Sequence, residues 1–210
     1  MLKFGENKAF LIFMERLVEV LKLNLLWLAF CLPIVTIGAS TVAAFSVCLK
    51  MIDGEEGRVG ADFIRAFREN FKQGSLLWLL NAVVLYAFYL DWQIVAAAAD
   101  PPLLLLIAGI VSVALAFCAF VYAYPLVARY RNSLRNDLIN SIRICFRFFG
   151  KTFLIFVVLF IEVVLFTWNE IMMFFGVLIG PMLMIYTISG IARRIFAVLD
   201  AESSVQESQT

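Results

Sequence analysis

Histidine is missing altogether from this 210-residue chain, and the four cysteines (Cys31, Cys48, Cys118, Cys145) never form a CxxC pair. These absences remove the donors of a structural zinc site and the spacing of a disulfide framework. GxSxG elbows, glycine-rich phosphate loops and carboxylate pairs at a catalytic spacing are missing too. No enzyme, cofactor or metal is therefore expected. Charge is equally scarce. Only 16% of residues are charged, against about 25% in ordinary soluble domains. Apolar residues make up 63% and the mean hydropathy is +0.94. A soluble fold is excluded, and helices this apolar are not nucleic-acid binders.

The positive charge that is present is zoned. All 17 Lys and Arg fall within 3–22, 50–72, 129–151 and 193–194. Such residues collect on the cytoplasmic side of membrane proteins. The basic segments and the C-terminus are therefore expected inside, and the connections near 91–102 and 168–170 outside. Glu6, Glu15 and Glu19 interrupt the first basic zone, so the N-terminus does not resemble a cleaved signal. The reading is all-α: one polytopic membrane bundle over 1–199, of five to six apolar segments with interfacial amphipathic helices. A disordered polar tail is expected over 200–210.

The apolar segments are 23–52 (broken at Pro33), 75–95, 103–128, 152–168 and 171–192. Ahead of them, residues 8–22 carry Glu15, Arg16, Glu19 and Lys22 on one helical face, as an interfacial helix would. Leu23 to Leu49 spans 27 residues, about 40 Å as a helix. One tilted crossing fits that length and two full crossings of a roughly 30 Å core do not. Basic residues at both ends favour a short or re-entrant hairpin instead. Asp100-Pro101-Pro102 predicts a stiff outer turn.

A repeat runs through this pattern. Asp62 to Lys72 aligns with Asp137 to Arg147 (DFIRAFRENFK against DLINSIRICFR), a glycine follows each, and a crossing comes next. The unit would be interfacial helix, crossing, turn, crossing, used three times with a shortened first hairpin. Shared composition alone would also produce such matches.

Asn24-Leu-Leu-Trp-Leu, Leu32-Pro-Ile-Val-Thr-Ile-Gly38, Gly-Glu-Glu-Gly at 54–57 and the Asp62–Lys72 segment together resemble the YesL-type family. These are bacterial integral membrane proteins catalogued as a domain of unknown function. The resemblance implies a multi-pass protein of the bacterial cell (inner) membrane. It also implies genes beside carbohydrate-uptake systems of the ATP-driven type, with no established activity and no catalytic residue to carry over.

Three sets of residues are candidates for function. Glu162 lies mid-span with no basic residue within ten positions, and a carboxylate there costs roughly 2.5–3.5 kcal/mol on insertion scales. It is either a proton- or substrate-binding carboxyl or an acid hydrogen-bonded to a neighbouring helix, at Asn81 or Tyr122. The break at Pro33, Thr36, Gly38, Ser40 and Thr41 either lines a cavity or binds an anion, or is a turn whose hydroxyls satisfy its own backbone. The faces Arg65/Arg68/Lys72 and Arg143/Arg147/Lys151 meet anionic headgroups of the lipid bilayer or dock a cytoplasmic partner. Two functions remain open. One is a non-catalytic accessory or regulatory component of carbohydrate uptake. The other is a small transporter or channel, working as a homo-oligomer through Glu162 and the broken hairpin.

Overall fold

The computed structural model describes residues 4–55, 57–97 and 103–207. The order is α1 (Phe4–Cys31), a single 3-10 turn (Ile34–Thr36), α2 (Ile37–Asp53), α3 (Val59–Glu69), α4 (Phe71–Ala97) and α5 (Leu103–Val121). Then come α6 (Ala123–Arg129), α7 (Leu134–Arg147), α8 (Phe149–Thr167) and α9 (Glu170–Glu207). Among the described residues, five stretches are long and apolar enough to cross a membrane: 34–53, 71–97, 103–129, 149–167 and 170–204. The expected all-α bundle of apolar segments is what the chain forms. The predicted turn at Asp100-Pro101-Pro102 lies outside the described residues.

The first apolar stretch is the centre of the bundle. α2 packs against α1, α3, α4, α6 and α9, and 61% of the most apolar 18 residues of its stretch are buried, against none of the corresponding window of α4 and 6% of that over α5 and α6. Ala39, Val42, Ala43, Ala44, Val47 and Cys48 line it. Small side chains of this kind let helix backbones approach closely, which is how packing is gained where lipid is as apolar as protein. The tightest approach is glycine on glycine. A Cβ at Gly38 would collide with the Gly74 carbonyl oxygen, and one at Gly74 would lie 2.7 Å from Ala39 Cα. The outer spans instead leave Leu79, Val83, Ile110, Phe160 and Phe174 more than half exposed. A continuous apolar surface of that kind is expected to face lipid.

At Pro33 the chain reverses. Trp27 Nε1 donates to Thr41 Oγ1 at 3.2 Å across the break, and Glu15, Arg16 and Glu19 share a cleft with Lys50 and Met51. Residues 23–52 are thus a hairpin. Lys50 near the end of α2 meets Asp62 in the first turn of α3 at 3.0 Å, while Gly38 meets Gly74 just past α3. α3 therefore folds back along α2.

Three boundaries differ from the sequence reading. The amphipathic 8–22 segment is not a separate helix but continues into α1. The repeated helices end at Asn70 and Phe148, leaving Gly74 and Gly150 inside the helices that follow. Asn70 Nδ2 donates to the Ala66 carbonyl at 3.0 Å and helps end α3 there. The tail expected to be disordered from 200 is instead helical to Glu207. Arg129 Nη2 donates to Asp200 at 2.9 Å, Tyr130 Oη to Asp200 at 2.6 Å, and Arg147 to Glu202 at 2.5 Å. Those contacts come from residues more than 50 positions away, so no local pattern announces them. At 38 residues, α9 is about 57 Å long, well beyond a roughly 30 Å hydrocarbon core.

Candidate functional site

A helix interrupted inside a bilayer exposes backbone groups that water cannot reach, and each must find a partner in the protein. Among the described residues there are three such interruptions, and a polar side chain closes each. At Pro33, Thr36 Oγ1 lies 2.6 Å from the Phe30 carbonyl and 2.7 Å from that of Pro33. Between α5 and α6, Ser141 of α7 enters the backbone ladder. Its hydroxyl accepts from the Tyr122 N–H at 3.2 Å and donates to the Cys118 carbonyl at 2.8 Å, replacing the bond those two groups would make in a continuous helix. Pro125 explains why that helix breaks, since it has no N–H to offer the turn before it.

The third interruption is Pro181 within α9. Its missing N–H leaves the Val177 carbonyl without an intrahelical donor. Asn24 of α1, 1% exposed, donates from Nδ2 to the Leu178 carbonyl and to that of Val177 at 3.4 Å. The sequence reading missed both Asn24 and Ser141. Asn24 was visible as the one amide at the start of the first apolar run, but its partners, the Val177 and Leu178 carbonyls, were not.

The candidate polar residues do not converge. Glu162 on α8 is 8% exposed, and its Oε1 accepts from Thr187 of α9 at 3.0 Å. Asn81 lies 3.5 Å from the Tyr124 hydroxyl, and Tyr122 pairs with Thr152 at 3.2 Å. Neither Asn81 nor Tyr122 bonds the carboxyl, so that expected pairing is corrected to Thr187. Glu162 Oε2 and the hydroxyls of Ser40 and Ser189 are buried without a partner among the described residues. At the first break Thr36 and Thr41 serve the backbone, Thr41 donating to the Ile37 carbonyl at 2.8 Å. Ser40 does not.

The ends of α2 and α6 meet the second half of α9 in an ionic cluster. Asp53 pairs with Arg193 and lies 3.9 Å from Arg129, which holds Asp200. Burial, and then the Asp200 carboxylate, push the Tyr130 phenol up to about 12. Asp53 and Asp62 lie nine positions apart in sequence, yet each is the hub of a separate set of ion pairs.

Asp137 on α7 behaves differently from Asp62, its counterpart in the repeat. Asp62 accepts from Lys50 and Arg65. Asp137 is fully buried, and among the described residues neither of its oxygens has a partner in hydrogen-bond geometry. Burial pushes its carboxyl above the ordinary range, and nearby Asn132 offsets this only in part.

The two basic faces also remain separate. Arg65 is paired with Asp62 and Arg147 with Glu202, while Lys151 lies 5.1 Å from the Phe148 ring centroid. Arg68 and Lys72 line a cleft with Arg131, and Arg143 lines another beside Tyr130 and Asp200.

These features define a class: an all-α, multi-pass membrane protein whose intramembrane polar groups join helices and mend backbone. Residues 20–92 match the family described as "Protein of unknown function, DUF624". That region contains the segments Asn24–Gly38 and Asp62–Lys72. No curated protein and no solved structure matches the chain.

Proposed function

We propose that this chain is a non-catalytic accessory protein of the bacterial inner membrane, with its basic end in the cytoplasm. It would assist the assembly, stability or regulation of an ATP-driven carbohydrate-uptake system. The observation that carries this reading is where the intramembrane polar groups are. Thr36, Ser141 and Asn24 mend helix breaks, while Glu162, Asn81 and Tyr122 each bond a neighbouring helix at separate places. Such an arrangement stabilises a bundle and does not line a path. The link to sugar uptake rests on the resemblance to the YesL-type family, carried by segments within 20–92. In cells, removal of the protein should lower uptake only when its partner transporter is present. An equal loss in cells lacking that transporter would sink the proposal.

One observation favours a second reading, a small oligomeric transporter or channel. Glu162 Oε2 is buried and has no partner among the described residues, as a carboxyl that exchanges a proton or cation would be between events. Reconstituted protein should then move a solute, and Glu162→Gln should stop it. Flux that survives the substitution removes this reading.

A further inference from the structure

We infer that the cleft between the α3–α4 junction and the α6–α7 loop binds the phosphate headgroup of an anionic phospholipid. The cleft, of about 800 Å³, brings Arg68 and Lys72 together with Arg131, which is some 60 positions away in sequence. Three cations face one carboxylate, Glu69. The Arg131–Glu69 approach is 3.8 Å, with side chains 93% and 52% exposed. A pair that long and that solvated holds Arg131 weakly, leaving it free to turn to a stronger acceptor. Arginine presents its N–H groups as a planar fork that matches phosphate oxygens, and Lys72 adds a point charge.

The walls of the cleft belong together because Gln73 Nε2 donates to the Asn132 carbonyl at 2.8 Å. Phe67 and Phe71, edge to face at 5.6 Å, form an apolar side. Phe71 is also the first residue of a membrane-spanning stretch, which sets the cleft at the depth of lipid headgroups. A soluble anion has no use for the apolar side, whereas a phospholipid can lay its glycerol and upper acyl carbons on it. Basic pockets beside membrane-spanning helices are established headgroup sites.

The inference stands apart from the proposed role, because lipid binding is measured on the isolated full chain. Native mass spectrometry of the detergent-purified protein would be run with added phosphatidylglycerol or phosphatidylcholine. Phosphatidylglycerol should bind in preference. Arg131→Ala should weaken it about fivefold, whereas Arg135→Ala, an exposed charge outside the cleft, should leave it unchanged. Millimolar inorganic phosphate should not displace the lipid. Arg131 is almost wholly exposed, so its loss leaves the fold intact. Equal effects of the two substitutions, equal binding of phosphatidylcholine, or displacement by free phosphate would each overturn the assignment.

Discussion

Replacing Asn24 by leucine isolates the mending of a proline break inside the membrane. In the native chain, Nδ2 of Asn24 serves the carbonyls of Val177 and Leu178, while its Oδ1 is buried without a partner among the described residues. Leucine would leave the Val177 carbonyl unsatisfied, a loss of about 1–3 kcal/mol. It would also remove the orphaned Oδ1, which offsets part of that loss, and side-chain hydrogen bonds in membranes average only about 0.6 kcal/mol. A net destabilisation of about 1–2 kcal/mol is expected. The cause can be separated from simple packing by repeating Asn24→Leu in a Pro181→Ala background. There the new N–H at position 181 can bond the Val177 carbonyl, and Asn24→Leu should cost less than about 0.5 kcal/mol. Unfolding in mixed micelles, followed by tryptophan fluorescence, would read all four corners of the cycle. Equal losses in the two backgrounds would refute the reasoning.

Two further substitutions probe packing and buried charge. Gly38→Ala places a methyl group against the Gly74 backbone and should cost about 3 kcal/mol, whereas Gly150→Ala, which meets open space, should be neutral or slightly stabilising. The yield of monodisperse protein and its melting temperature distinguish the two. For Asp137 the folded chain favours the protonated acid, because burial raises its pKa above the ordinary 3.8. The stability this lends is fully present below that ordinary value and is lost as pH rises through the raised one. Asp137→Asn should therefore melt higher than the parent at pH 7 and match it near pH 4. A variant less stable than the parent at pH 7 would show that the carboxylate has a partner worth keeping.

Much of this architecture was legible in single residues. The apolar runs, the zoned lysines and arginines and the Pro33 break reported spans and a reversal, because bilayer thickness and helix rise act on local composition. Asn169 marked the α8–α9 turn and indeed caps α9, accepting from the Met172 N–H at 2.8 Å. Glu162 was visible as an anomaly, but its partner was not. Thr187 lies 25 positions away on a helix whose rotation only packing sets. The same holds for Ser141, which reads as an ordinary serine on an amphipathic helix until Tyr122 and Cys118 are beside it.

Sequence alone determined that this protein lives in a membrane, where its spans lie and where its first helix must break. Those properties follow from local hydropathy, from proline's missing N–H and from the cost of moving charge into lipid. Tertiary structure decided the rest. It put α2 at the centre, and it ordered α9 to Glu207 through Arg129, Tyr130 and Arg147. It also turned Asn24 and Ser141 into menders of helices other than their own. In hydrocarbon every freed backbone group needs a protein donor or acceptor, and only the packed bundle determines which distant side chain is within reach.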